Sequence, residues 1–277
     1  MSGTAQRLEP GLRRRKRSLR PPDKAWWVGA LRTIGSFAVF ALLWEIAART
    51  LVQNRLVLVP FTEVMSALGT EVRSGQFWRH TWMTFQELAA GFPLSVAVGI
   101  IFGLLLSQSR VLQQTLAPIL TALYSVPIVA LAPLFISWLG FGLESKVAII
   151  LLTAVFPVVI NTEVGLRSTD QSLIEAARSF NATKWQIFRH VTFPFAVPFI
   201  IGGVRVAFAR ALVGVIVAEF FGAYAGYGYA ILAASQTFQT AKLLAYVVVL
   251  ALIGMAGSGG LQAWERRLAP WREVNEG

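Results

Sequence analysis

Glu175-Ala176-Ala177-Arg178-Ser179-Phe180-Asn181, continuing through Trp185, Phe188, Val191 and Phe193 to Pro194, interrupts the apolar second half of this 277-residue sequence. The stretch reads as two short helices with a bend between them. Leu173, Ala176, Ala177 and Phe180 fall at i, i+3, i+4 and i+7, which is one apolar stripe on a helix. Ser168 with Gln171 three residues later offers a capping box at its start. Asn181 stands where that helix ends, and Asn is second only to Gly in tolerating the left-handed conformation of a helix C-terminal cap. Thr183 with Gln186 repeats the capping spacing, and Trp185, Phe188 and Val191 give the second helix its own apolar face. Pro194 ends the unit or opens the next helix. The pattern fits a knob that enters a groove on another protein, and it equally fits a surface helix pair covering its own core.

The chain around this unit is that of an all-α membrane protein. It is 55% hydrophobic and 14% charged, where a soluble domain carries nearer a quarter charged. Six apolar spans, each near the ~20 residues a bilayer core requires, are predicted at about 34–52, 88–107, 117–140, 147–164, 195–221 and 243–261. The third is broken by Pro118, Pro127 and Pro133, which membrane helices tolerate where the backbone is buried or lines a cavity. Glu45 with Arg49, and Glu163 with Arg167, stand at i, i+4 and are read as ion pairs within their helices, so Glu163 is not taken as a ligand. Gly203, Ala207 and Ala211 form a small-residue stripe for close helix packing.

The predicted organisation is a basic arm over 1–32, a first span with an external amphipathic segment over 33–81, a core of five spans over 82–265 with the loop at 166–193, and a tail over 266–277. The amphipathic piece carries Val64, Ala67, Leu68 and Val72 and is expected to lie on the outer membrane surface. Trp26 and Trp27 are expected at the inner interface, and no cleaved signal peptide is expected. With both ends inside, 17 of the 25 Lys and Arg lie in the cytoplasm, six lie outside, Lys146 among them, and Arg205 and Arg210 fall within the fifth span. The positive-inside rule favours this orientation, which also puts the Glu175 loop in the cytoplasm. The net charge of +11 gathers at span ends and in the arm, a pattern of topology and acidic headgroups and not of nucleic-acid binding.

Catalytic chemistry finds no support. There is no Cys, none of the five lysines sits in a Gly-x-x-x-x-Gly-Lys-Ser/Thr setting, and the Gly-rich 222–228 stretch reads as an external turn. His80 and His190 fall on opposite sides of the membrane and cannot share a metal or a triad.

The Glu175 run resembles the EAA loop of ABC importer permeases: Glu-Ala-Ala, three residues, Gly, nine residues, Ile, one residue, Leu-Pro. Here Glu175, Ala176, Ala177, Asn181, Val191, Phe193 and Pro194 keep the spacing, with Asn for Gly, Val for Ile and Phe for Leu. Residues from about 60 onward resemble the nitrate/sulfonate/taurine/bicarbonate permeases, through Ser125-Val126-Pro127, Leu131-Ala132-Pro133-Leu134-Phe135, Gly165-Leu166-Arg167-Ser168 and Val217-Ala218-Glu219-Phe220. The resemblance implies the type I importer permease fold in the bacterial inner membrane. It implies no cofactor in this chain, with ATP and Mg on a partner ATPase. The implied partners are a second permease copy as a homodimer, two ATPase subunits and a periplasmic or lipid-anchored solute-binding protein.

Within that resemblance Glu175, Ala176, Ala177, Arg178, Asn181, Trp185, Phe188 and Pro194 would form the ATPase-coupling loop. Tyr124, Pro127, Asn161, Arg205, Arg210 and Glu219 are candidates for the translocation path of a small anion or small polar solute. Arg205 and Glu219 return to nearly one face of a helix but stand about 21 Å apart, and Arg210 lies opposite Glu219, so the three cannot line one path along a straight helix. Either the arginines serve packing, with Arg205 snorkelling or bonding carbonyls and Arg210 binding a neighbouring helix, or one of them faces a cavity and attracts an anion. A stand-alone secondary transporter or channel is the rival class; internal repeats expected of many such transporters are not seen between the two halves. A membrane-embedded enzyme would need paired carboxylates or a His cluster at one depth.

Overall fold

The computed structural model describes residues 25–268, apart from 53 and 55, with side chains described from 31 onward. Residues 1–24 of the arm expected over 1–32, the side chains of Trp26 and Trp27, and residues 269–277 of the tail lie outside the described residues, while residues 25–32 already belong to a helix. Among the described residues all regular structure is helical: α1 (Ala25–Thr50), α2 (Phe61–Arg73), α3 (Gln76–Gln108), α4 (Arg110–Ser125), α5 (Ile128–Leu139), α6 (Leu143–Arg167), α7 (Gln171–Ser179), α8 (Lys184–Ile187), α9 (Phe193–Gly222), α10 (Tyr227–Gln236) and α11 (Thr240–Leu268). A π-helical turn, Phe188–Thr192, joins α8 to α9.

Among the described residues five stretches are long and apolar enough to cross a membrane: α1, α3, α6, α8 running on into α9, and α11; the bent pair α4–α5 counted as one span makes six. That pair turns by 89°. The break is at Pro127 alone: Val126 before it is extended at ψ 128, as the residue ahead of a proline prefers, while Pro118 and Pro133 sit inside α4 and α5. The expectation that all three prolines interrupt the span is thus corrected. Each helix accommodates its own proline, and only the one preceded by an extended residue turns the chain.

The core is built on α6, which packs along both α3 and α9, with Ile150, Ala154, Val158, Ala196, Ala207 and Ala211 buried at the seams. Between helices in lipid the driving force is close packing, because lipid tails are as apolar as Leu. Small residues therefore set the geometry. A Cβ at Gly99 would stand 2.6 Å from Val158 Cβ, and one at Gly203 would stand 2.6 Å from Asn161 Cβ. Any larger residue at either glycine forces a helix away from α6. The stripe of Gly203, Ala207 and Ala211 is buried as its spacing implies.

Three local expectations are revised. Most of the amphipathic stripe of α2 meets protein, though Val72 stays exposed: Val64, fully buried, and Leu68 pack with Trp44 of α1 and Ala245 of α11, and Trp44 Nε1 donates to Val59 O at 3.0 Å. This segment ends at Gly75, whose φ of +79 allows the sharp passage into α3, so residues 76–81 belong to the 33-residue α3. Lys146, counted with the charges outside the spans, is buried within the bundle: it is 2% exposed and pairs with Glu87 at 2.8 Å.

Candidate functional site

The Glu175 loop leaves α6 where the end of that helix is tied to the end of α3. Arg167, in the last turn of α6, pairs with Glu163 at 2.6 Å and donates through Nη2 to the carbonyls of Leu106 and Ser109, both at 3.1 Å. The Leu106 carbonyl lies in the last turn of α3, where carbonyls lack a helical partner, and the Ser109 carbonyl also accepts the first backbone bond of α4, from Gln113 N at 3.1 Å. The capping box expected at Ser168 does not form, because Ser168 still belongs to α6 as its C-cap and donates to Val164 O at 2.7 Å. Asp170 caps α7 instead, accepting from Ser172 N at 2.9 Å, and this backbone donor holds its carboxyl below the usual carboxylate range.

α7 closes in a Schellman arrangement, with Asn181 N donating to Arg178 O (2.8 Å) and Ala182 N to Ala177 O (3.1 Å). Asn181 takes φ 56, the left-handed conformation the sequence anticipates there. The second capping box also forms: Gln186 N donates to Thr183 Oγ1, and Thr183 N donates to Gln186 Oε1. Pro194 then supplies no N–H, and the chain widens ahead of it into the π turn, in which Phe193 N donates to Phe188 O. Sequence periodicity misses this turn, since one extra residue per turn alters the phase only locally.

The result is a knob whose apolar groups point outward. Phe180 is 87% exposed and Trp185 64%, with Leu173 also exposed, and Trp185 stacks on Phe188 at 5.6 Å. Glu175, Ala176 and Arg178 are exposed beside them, and Ala177 is half-buried. A helix pair covering its own core would turn these groups inward. Here they form an unpartnered apolar surface of the kind that marks an interaction site.

A second feature lies at the α4–α5 bend. Tyr124, Pro127, Thr153, Phe156 and Arg210 line a cleft of about 150 Å³. Arg210 Nη2 donates to the Tyr124 hydroxyl at 3.3 Å, and the guanidinium stands 5.6 Å from the Tyr124 ring centre. Among the described residues no carboxylate pairs with Arg210, so it presents net positive charge on that wall.

The other three path candidates lie elsewhere. Asn161 donates to Pro157 O at 2.8 Å on the α6–α9 seam. Arg205 is ion-paired with Glu265 of α11, a clamp between helices and neither a snorkelling nor a carbonyl-bonded arginine. Glu219 is 1% exposed inside the bundle; its Oε1 accepts from Thr84 Oγ1 (2.6 Å) and its Oε2 from Gly228 N (2.5 Å). The Gly-rich stretch is therefore anchored inward, and His80 Nδ1 also accepts from Gly226 N at 3.0 Å. Thr84 and Glu87 escape sequence reading, and His80 is weighed there only as a metal or triad ligand, because polar residues scattered along an apolar helix carry no signal of the partners folding brings to them.

Residues 95–271 match the family described as binding-protein-dependent transport system inner membrane component. The chain is similar to the formylaminopyrimidine transport permease protein ThiX of Halalkalibacterium halodurans, 32% identical over 86% of this chain and 94% of that protein. It is similar to the putative aliphatic sulfonates transport permease protein SsuC of Bacillus subtilis, 34% identical over 87% of each. The taurine transport system permease protein TauC of Escherichia coli is 30% identical over 86% of this chain and 89% of its own length. Among solved structures, the inward-facing MetNI methionine ABC transporter matches with a TM-score of 0.56 at 23% identity, over 68% of this chain and 95% of that one, a likeness of fold.

Proposed function

Since this chain belongs to the family of binding-protein-dependent transport system inner membrane components, and is the type I permease subunit of an ABC importer and not an enzyme, we propose that it forms the path for a small anionic or small polar solute. ATP hydrolysis belongs to a separate subunit. ATP and Mg act there, two such subunits dock on the Glu175 loops of a permease homodimer, and a solute-binding protein delivers solute from outside. Six spans with both termini cytoplasmic and the Glu175 loop facing the ATPase complete the reading.

The observation that carries it is the loop itself. Phe180 and Trp185, 87% and 64% exposed, are held outward on two capped helices by Asn181 in the left-handed conformation. Closure of the ATPase pair on ATP binding would push this rigid knob. The π turn and Pro194 pass the push directly into α9, which carries Arg210. Alternating access of the central path is then a rigid-body consequence of loop movement. The positive Arg210 wall at the α4–α5 bend supports an anionic or sulfonate-bearing solute, in line with the sulfonate and taurine permeases among the relatives.

A stand-alone transporter would have no use for the outward apolar knob. Purification from native membrane tests the reading: an ATPase subunit should accompany this chain. Proteoliposomes of that complex, given the binding protein and a panel of taurine, alkanesulfonates, nitrate, bicarbonate and formylaminopyrimidine, should take up one of these in an ATP-dependent way. ATP-independent uptake by the isolated chain would sink it.

A further inference from the structure

The turn between α10 and α11 repeats the Schellman arrangement of the Glu175 loop: Phe238 N donates to Ser235 O (3.2 Å) and Gln239 N to Ala234 O (2.8 Å). The residue at its left-handed position is Phe238, with φ 56. Gly or Asn is usual there, and a bulky side chain is strained by that backbone. Local packing does not explain the choice. Phe238 is 74% exposed, and Ser235, Gln236, Thr237 and Gln239 around it are exposed too. A lipid environment fits poorly, because it would bury the amides of Gln236 and Gln239 beside the ring.

The position in the fold is equally specific. α9 begins at the Glu175 loop and runs for 30 residues, about 45 Å, before α10 follows, so the Phe238 turn lies at the far end of the bundle from the loop. Beside the ring is a cleft of about 400 Å³, with Phe238, Gln239 and Lys242 on one wall and Val59, Glu63 and Ala67 on the other. A protruding aromatic ringed by polar groups, next to a cleft of mixed polarity, has the anatomy of a binding hot spot. Backbone strain that persists without a packing reason points the same way.

We propose that Phe238 and its polar surround are the anchor by which the solute-binding protein docks on this permease, the ring entering an apolar socket of that protein. The inference rests on the reading of the chain as a binding-protein-dependent importer permease, and it adds the surface and the residue. Strain is accepted at position 238 because a Gly or Asn there would leave the partner nothing to grip.

The test uses the full transporter in proteoliposomes, with its purified solute-binding protein titrated on the outside and stimulated ATPase read. Phe238→Gly should raise the half-saturating binding-protein concentration by about 10-fold or more, leave basal ATPase unchanged, and leave the melting temperature unchanged or higher, because Gly relieves the backbone. Phe238→Asn should do the same, as Asn already serves the equivalent turn at residue 181. In this Cys-free chain, Phe238→Cys should react with an impermeant maleimide from outside and be protected by the binding protein. A shift below twofold in both Phe238→Gly and Phe238→Asn overturns the proposal. So does failure of Phe238→Cys to label, which would put the ring in lipid or protein, or loss of assembly in both substitutions, which would make it a packing residue. Absence of stimulation in the wild type would overturn the importer reading along with it; a stimulated wild type with unshifted variants overturns only the Phe238 anchor.

Discussion

Lys146 of α6 and Glu87 of α3 form a buried ion pair, 2.8 Å long, with the two side chains 2% and 1% exposed. Glu219, Thr84 and the Gly226–Gly228 backbone close around the same end of the bundle. Breaking such a pair strands a charge away from water, whereas removing both charges does not. Lys146→Met alone, or Glu87→Gln alone, should destabilise the purified transporter by about 3–5 kcal/mol. Lys146→Met with Glu87→Gln should recover much of that loss in thermal melts. Equal damage from the double and single variants would show that the pair's charges are not what matters.

The outward knob gives a separable prediction. Ala176 is exposed on α7 and Ala177 half-buried beside it, so Ala176→Arg changes no core packing of this chain. It should leave membrane insertion and folding intact and abolish solute-stimulated ATPase, because a docked interface accommodates neither the volume nor an unpaired charge. Wild-type coupling in an assembled Ala176→Arg or Ala177→Arg transporter would refute a docking role for the loop.

The two arginines of α9 should behave differently. Arg205 is partly buried and paired with Glu265, so Arg205→Gln should lower melting temperature and assembly. Arg210 has the Tyr124 hydroxyl and ring, and it lines the cleft. Arg210→Gln should keep the fold and cut anionic solute transport about tenfold, a loss near 1.4 kcal/mol. Uptake assays beside melting curves decide it: if Arg210→Gln transports normally, the arginine wall does not select the solute.

Orientation can be read chemically in this Cys-free chain. Ser74 and Ser168 are both exposed. With both termini cytoplasmic, Ser74→Cys should react with an impermeant reagent on intact cells and Ser168→Cys should not. The reverse pattern would invert the topology.

Glu71 sets a pH dependence for the clamp between α2 and α11. Burial pushes its carboxyl up, but the Lys242 ammonium at 2.8 Å and the Tyr246 hydroxyl at 2.7 Å outweigh that and hold it below the ordinary 4.5. A carboxyl lowered by folding contributes stability that is present above its unfolded value and is lost as pH falls through its folded value. The melting temperatures of wild type and Glu71→Gln should therefore differ at pH 7 and converge as pH drops below 4.5. A difference that stays constant over that range would assign the effect to something other than ionisation.

Sequence by itself determined the membrane class, the six apolar stretches, the small-residue stripe on α9 and two of the loop's caps, at Asn181 and Thr183, while the cap expected at Ser168 falls to Asp170. These are local matters: hydropathy, i, i+4 spacing and cap chemistry act within a few residues, so Asn181 and Thr183–Gln186 are read correctly from neighbours alone. The Glu45–Arg49 and Glu163–Arg167 pairs are local in the same sense. Only the tertiary structure decided which charges meet across the bundle. Arg205 finds Glu265 sixty residues away, Lys146 finds Glu87, and Glu219 turns inward to Thr84 and Gly228 instead of lining a path. An ionisable group in a membrane must find a partner, but helix periodicity says only which face it leaves from. The residue it meets is fixed by how closely α3, α6 and α9 approach, and that approach is set by glycines such as Gly99 and Gly203, whose contacts exist only once the helices are packed.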